Sequence, residues 1–226
     1  MGTTACEEDV RAIWRRADGV CFDVDSTVCK DEGLDELANF CGVGPQVKEW
    51  TAKAMGGDVT FRQALTERLK IVNPSLKQVQ DFIQSHPPLL SDGIEELVSL
   101  LQSRKTSVFL VSGGFRRIIE PAAQCLNIPP EHLFANRLLF ENGEYKGFDP
   151  EEPTSESGGK KRVAATLKEK FGLKCLVMVG DGATDMEAAP PADAFIGYGG
   201  NVVREKVKEG AKWFVTDFRQ LIDELN

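Results

Sequence analysis

Acidic residues gather where apolar runs end. In "VCFDVDSTV" (20–28) the run "GVCFDV" closes on Asp23 and Asp25, one residue apart. In an extended chain such residues point to the same side, so the two carboxylates would crowd. Like charges at a buried strand end are costly unless something offsets them, and a bound cation is the usual remedy. Two solvated acids before a turn is the other reading, and this stretch alone leaves both open. A second acidic tip, "VGDGATDM" (179–186), carries Asp181 and Asp185. Four-residue spacing there also suits a turn and a helix N-cap. The run "SVFLVSGG" (107–114) ends on Ser112 and Gly113. Lys160 closes "ESGGK", which is not a phosphate-binding P-loop: that pattern needs Gly at 154 and Ser or Thr at 161, and the chain has Thr154 and Lys161.

These tips matter as a group only if one scaffold brings them together. "GVCFDVDST", "SVFLVSGG", "CLVMVGDG", "AFIGYGG" and "WFVT" read as strands. Between the later ones lie helical patterns. Ile94, Leu97, Val98 and Leu101 fit a helical period, as do Phe115, Ile118, Ile119, Ala122 and Leu126; residues 160–171 form a third, with Gly172 placed to end it. Apolar strands alternating with helices imply a doubly wound parallel α/β sheet, with ligands beyond the carboxyl ends of its strands. Pro121 falls well inside one helical pattern and is expected to kink or split it.

Residues 30–90 break the rhythm with helices and no convincing strand. Leu34, Leu37, Ala38 and Cys41 mark one helix. Pro45 starts a second, with Val47, Trp50 and Ala54 inward and "MGGD" (55–58) at its end. Thr60 and Gln63 form a capping box for a third, and "NPS" (73–75) opens a fourth. This helical bundle, inserted after the first strand, reads as a cap over the site. Asn142-Gly143 reads as a type I′ hairpin turn.

With 226 residues, 42% of them hydrophobic, the chain suits one large domain or one domain with an insert. A net charge of −8 argues against a general nucleic-acid binder. There is no run of 18 apolar residues, hence no expected membrane span, and the first ten residues are too polar and acidic for a targeting signal. Six cysteines without a C-x-x-C pair fit a reducing cytosol, and two distant histidines make a zinc site an unattractive reading.

Taken in order, "FDVDSTV", "EGLDELA", "AMGG", "ALTERL", "SGGF", "ESGGK" and "GDGATDMEAAPPADAFIGYGG" resemble the haloacid dehalogenase-like hydrolase superfamily, and within it the phosphoserine phosphatase family, from about residue 12 onward. The resemblance implies a Rossmann-like core (1–29 and 91–226) with an inserted helical cap (30–90). It implies Mg²⁺-dependent hydrolysis of O-phospho-serine through an aspartyl phosphate, completing serine synthesis in the cytoplasm by a monomer or homodimer. Asp23 would be the nucleophile, Asp25 the general acid and base, and Lys160 the neutralising cation. Asp23, Asp181, Asp185 and the Asp25 carbonyl would hold Mg²⁺, for which oxygen ligands are suited. Ser112, Gly113 and Thr184 would bind the phosphate end. Arg68 would take the substrate carboxylate and Glu32 its ammonium, with Met55 and Phe61 lining the pocket. Arg68 as a residue merely snorkelling at the bundle edge stays open. So do a related capped phosphatase or phosphotransferase and a non-catalytic phospho-ligand binder. A dinucleotide enzyme is disfavoured, because no G-x-G-x-x-G follows the first strand.

Overall fold

The computed structural model describes residues 6–55 and 59–226, with backbone alone for 51–55. In chain order the elements are α1 (Glu7–Arg15), β1 (Gly19–Phe22), α2 (Gly33–Phe40), α3 (Gly44–Met55), α4 (Phe61–Val72), α5 (Leu76–Ser85), α6 (Ile94–Ser103), β2 (Ser107–Phe115), α7 (Arg116–Cys125), β3 (Leu133–Asn136), β4 (Leu138–Glu141), β5 (Glu144–Phe148), α8 (Gly159–Phe171), β6 (Leu176–Gly180), α9 (Ala183–Met186), β7 (Ala194–Tyr198), α10 (Glu205–Gly210), β8 (Trp213–Val215) and α11 (Arg219–Asp223).

Six strands form one sheet in the order β3-β2-β1-β6-β7-β8, every pair parallel. Its strands are buried on both faces, and alternation divides their side chains between two cores. Val20, Phe22, Val108, Leu110, Val177 and Val179 face one side with α1, α6 and α11. Cys21, Phe109, Val111, Met178 and Phe195 face the other with α8 and α10. The topology puts the switch between β1, β2 and β6, where three of the polar tips meet.

Helices α2 to α5 occupy the insert and own a third core. Leu34, Leu37, Val47, Leu65, Leu69, Val79 and Phe82 pack there against Phe115 of β2 and Leu138 of β4. The Thr60 cap is as expected: its side chain accepts from the Gln63 amide, and Gln63 reaches back. Ser75 and Gln78 repeat the device on α5. The expected end of α3 at 56–58 and the side chains of Ala54 and Met55 lie outside the described residues.

Three differences from expectation stand out. β3 was not anticipated; "LFAN" is a four-residue edge strand behind two prolines and too short to show alternation. Pro121 does not split α7, which runs from 116 to 125. It is the sixth of ten residues, and its missing N–H leaves the Arg117 carbonyl without its helical partner. Phe115, expected on the face of that helix, is instead the last residue of β2. The Asn142-Gly143 turn is as expected, with φ of 51° and 85° as a type I′ turn requires.

Candidate active site

β1 delivers Asp23 to the carboxyl edge of the sheet, where its amide still bonds the Val179 carbonyl of β6 at 2.9 Å. The chain then leaves the sheet in one wide turn, Val24–Val28, closed by Cys29 N–H to the Val24 carbonyl at 2.8 Å. Ser26 takes a left-handed φ of 57° inside it. This corrects the expectation that strand alternation pairs Asp23 with Asp25: the strand ends at Phe22, and the turn sets their relation. Asp25 accepts from the Gly33 amide at 2.8 Å and from Ser112 Oγ at 3.4 Å.

The other tips converge as expected. Lys160, in the first turn of α8, is buried with Nζ 2.7 Å from Asp23 Oδ1 and 2.6 Å from Asp185 Oδ1. Asp181 follows β6. Its Oδ1 accepts from Thr27 Oγ1 at 3.1 Å and its Oδ2 from Arg204 Nε at 2.7 Å. Asp185 also accepts from the Gly182 amide at 2.9 Å. Its carboxylate lies so close to Gly180 that a Cβ there would meet it at 2.4 Å. Thr184 stands half-buried between the two acids. Ser112 is fully buried and accepts from the Gly114 amide at 2.8 Å. Above it, the Phe61 ring of α4 covers Gly113, and a Cβ at 113 would meet Phe61 Cζ at 2.9 Å. The bundle therefore touches the Ser112–Gly113 tip directly.

Asp23, Asp181 and Asp185 bring their ligating oxygens within 4.8 Å of one another, all three buried. An all-oxygen set of this kind fits a hard divalent cation. The carboxylate of Asp25 is not in the trio. Asp25 is raised to about 7, by burial and then by the charges of Glu32 and Asp23. Burial raises Asp181, Asp185 and Glu32 too, Asp185 the furthest. Burial works against the Lys160 ammonium, but the Asp185 and Asp23 charges together hold it above its usual range.

The recognition residues are more dispersed. Glu32, just before α2, accepts from Ser26 Oγ at 2.8 Å. Arg68 on α4 pairs with Asp35 on α2 at 2.6 Å, and its Nε is buried without a hydrogen-bond partner. No ion pair joins Arg68 to the acidic trio or to Glu32 among the described residues. Two residues at the site escaped the sequence reading. Arg204, beyond the tip of β7, links Asp181 to Glu32, the latter at 3.4 Å. Asn201 bonds the turn that follows Asp25. The available signal was the rule that strand tips carry function, applied to "AFIGYGG" as it was to the other tips.

A profile of the haloacid dehalogenase-like hydrolase family matches residues 17–193. The chain belongs to this family. It is 60% identical to the phosphoserine phosphatase of Rattus norvegicus over 218 residues, 96% of this chain and 97% of that one. Its fold superposes on DsGPDH of Dunaliella salina with a TM-score of 0.87 at 33% identity, over 99% of this chain and 38% of that one. A phospho-aspartyl intermediate analogue of a phosphoserine phosphatase superposes with a TM-score of 0.79 at 28% identity, covering 92% and 98%.

Proposed function

We propose that this chain is a phosphoserine phosphatase, hydrolysing O-phospho-serine to serine and phosphate as the last step of serine biosynthesis. One observation carries the chemistry: a buried Asp23 beside Lys160, with a second carboxyl, Asp25, raised to about 7. The rat relative supports the choice of substrate.

Asp23 Oδ1 is taken by Lys160 and the Val24 amide, which leaves Oδ2 to attack phosphorus. The ester P–O bond breaks as the Asp23–phosphorus bond forms. Asp25 is partly protonated near pH 7 and gives its proton to the departing serine oxygen. Ser112 and the Gly113 N–H hold phosphate oxygens, with Thr184 nearby, and Lys160 offsets the charge that develops. Asp25, now ionised, takes a proton from the water that cleaves the acyl phosphate, and Asp23 leaves as the carboxylate. Asp23, Asp181 and Asp185, with the Asp25 carbonyl, would hold Mg²⁺, which neutralises the acids and the phosphate together.

Residues 30–90 act as the cap and residues 1–29 with 91–226 as the catalytic core. Within the cap, Arg68 takes the substrate carboxylate, Glu32 its ammonium, and Phe61 walls the pocket. A cytosolic setting fits the six free cysteines; no helix among the described residues is long and apolar enough to cross a membrane.

A second reading is hydrolysis of another small phosphoester by the same Asp23, favoured by the pairing of Arg68 with Asp35, which leaves the guanidinium already engaged within the insert. Phosphate release from a panel of phosphoesters, with Mg²⁺ and with excess chelator, separates the two. Phosphoserine turned over well above the others, and only with Mg²⁺, is the expected result. A flat panel, or full activity in chelator, would sink the assignment.

A further inference from the structure

The insert is joined to the core by two crossing strands of chain. They meet at a single antiparallel bridge between Cys29 and Leu90, with the Lys30 amide on the Leu89 carbonyl and the Ser91 amide on the Val28 carbonyl, both at 2.9 Å. The side chain of Asn201, from the loop after β7, reaches into this crossing. Its Nδ2 lies 2.7 Å from Ser91 Oγ, 3.1 Å from the Ser26 carbonyl and 3.4 Å from the Cys29 carbonyl. Ser91 Oγ in turn donates to the Thr27 carbonyl at 2.6 Å. One amide thus touches both connections at once.

Ser26 is the pivotal contact. It follows Asp25 directly and holds the left-handed φ of 57°, a conformation that L-residues seldom adopt. Its carbonyl is held by Asn201, its amide by the Asp31 carbonyl at 3.2 Å, and its hydroxyl donates to Glu32. A shift of this peptide therefore moves Asp25 on one side and Glu32 on the other.

We infer that Asn201 is a positioning residue: by fixing the Ser26 carbonyl and the insert's two connections, it aims the Asp25 carboxyl at the departing oxygen. This rests on the proposed role of Asp25 as general acid. It distinguishes substrates by their leaving group. Serine must leave with a proton, whereas the acetate of acetyl phosphate leaves without one. The ratio kcat/KM reports only the first transfer to Asp23, so acetyl phosphate bypasses Asp25 in that ratio.

The test is Asn201→Ala, with Ser91→Ala as a gentler variant that removes the 2.7 Å partner. Wild-type hydrolysis of phosphoserine is measured first, and its failure would strike the phosphatase assignment, not this inference. For Asn201→Ala, kcat/KM falls about 10- to 100-fold, the scale of a misaimed catalytic group, both for phosphoserine and for glycerol 2-phosphate, whose alcohol needs a proton to leave but which carries no ammonium for Glu32, while kcat/KM for acetyl phosphate stays within about twofold. Ser91→Ala shows the same selectivity to a smaller degree, and the double variant falls short of the sum of the two. Equal losses on phosphoserine and acetyl phosphate, a loss on phosphoserine that spares glycerol 2-phosphate, or no loss on any of them, in whichever variant folds, would overturn the inference.

Discussion

The edge of the sheet and the helical insert hold charge in different ways. At the edge, five acids (Asp23, Asp25, Glu32, Asp181 and Asp185), three of them buried, crowd around two basic groups, Lys160 and Arg204. Inside the insert, Arg68 and Asp35 form a partly exposed one-to-one pair. A balanced pair of that kind can open for a ligand at small cost. An acid-rich cluster cannot relax by itself; it takes up protons or a cation. The difference teaches where chemistry and selectivity reside. The sheet edge is set under electrostatic load, while the insert's charge is balanced within it, and the proposed role of Arg68 draws on that pair.

The largest effect should come from the sheet edge. Asp23→Asn keeps the shape and removes the attacking charge, so phosphoserine turnover drops by several orders of magnitude with folding intact, and circular dichroism beside phosphate release checks both halves. Near-normal turnover would end the covalent mechanism and the contrast drawn here. Next comes Arg68→Ala. A charge-assisted pair is worth roughly 1.5–3 kcal/mol, so kcat/KM for phosphoserine falls about ten- to a hundredfold. Phosphoethanolamine, which lacks the carboxylate, is hardly affected, and Arg68→Lys does not restore the preference. Equal losses on the two substrates would make Arg68 a structural residue of the insert.

A third test reads stability against pH in chelator. The raised carboxyls bind protons in the folded state that the unfolded chain has already released. Stability therefore falls as pH rises from the ordinary carboxylate range through about 7, the value for Asp25. Melting temperatures between pH 4.5 and 7.5 should decline, and Mg²⁺ should raise them most at the upper end. A rising profile in chelator would mean that the edge is not under load. The smallest effect is that of Asp35→Asn. It removes Arg68's internal partner and should lower KM for phosphoserine slightly. An increase would show that Asp35 aims the guanidinium instead of competing for it.

How much of this was legible beforehand follows the same division. Asp23, Asp181 and Asp185 could be read because they follow the ends of apolar runs, and the parallel sheet brings such ends together; Lys160, behind a polar stretch, could be read only from the order of motifs. The insert's helices could be read from Thr60, Gln63 and the leucine spacing. Arg204 and Asn201 could not: they reach Glu32 and Ser26 from more than 170 positions away, and a lone polar residue in a loop has no period to betray it. The wide turn at Ser26 was hidden for another reason. A left-handed serine has no sequence signature of the kind glycine provides, and it is held there by those distant groups. Arg68 was legible as a charge on an apolar face, but its pairing with Asp35 depends on how α2 meets α4.

The hairpin of β4 and β5 also bears on movement. The carbonyl of Gly143 at its turn accepts the Leu76 amide at 2.8 Å, so the start of α5 is pinned to the core at a place remote in sequence from the crossing at Cys29 and Leu90. A third tie sits beside Phe61: Arg62 Nη2 of α4 donates to the Pro150 carbonyl at 3.0 Å and to Ser155 Oγ at 2.7 Å. With the crossing and the hairpin turn fixed, the insert can swing only when Arg62 lets go, and Phe61 moves with it. Amide exchange offers a direct gauge: the Leu76 N–H should stay protected through opening, while the ring of Phe61 lifts from Gly113 and leaves it open to solvent.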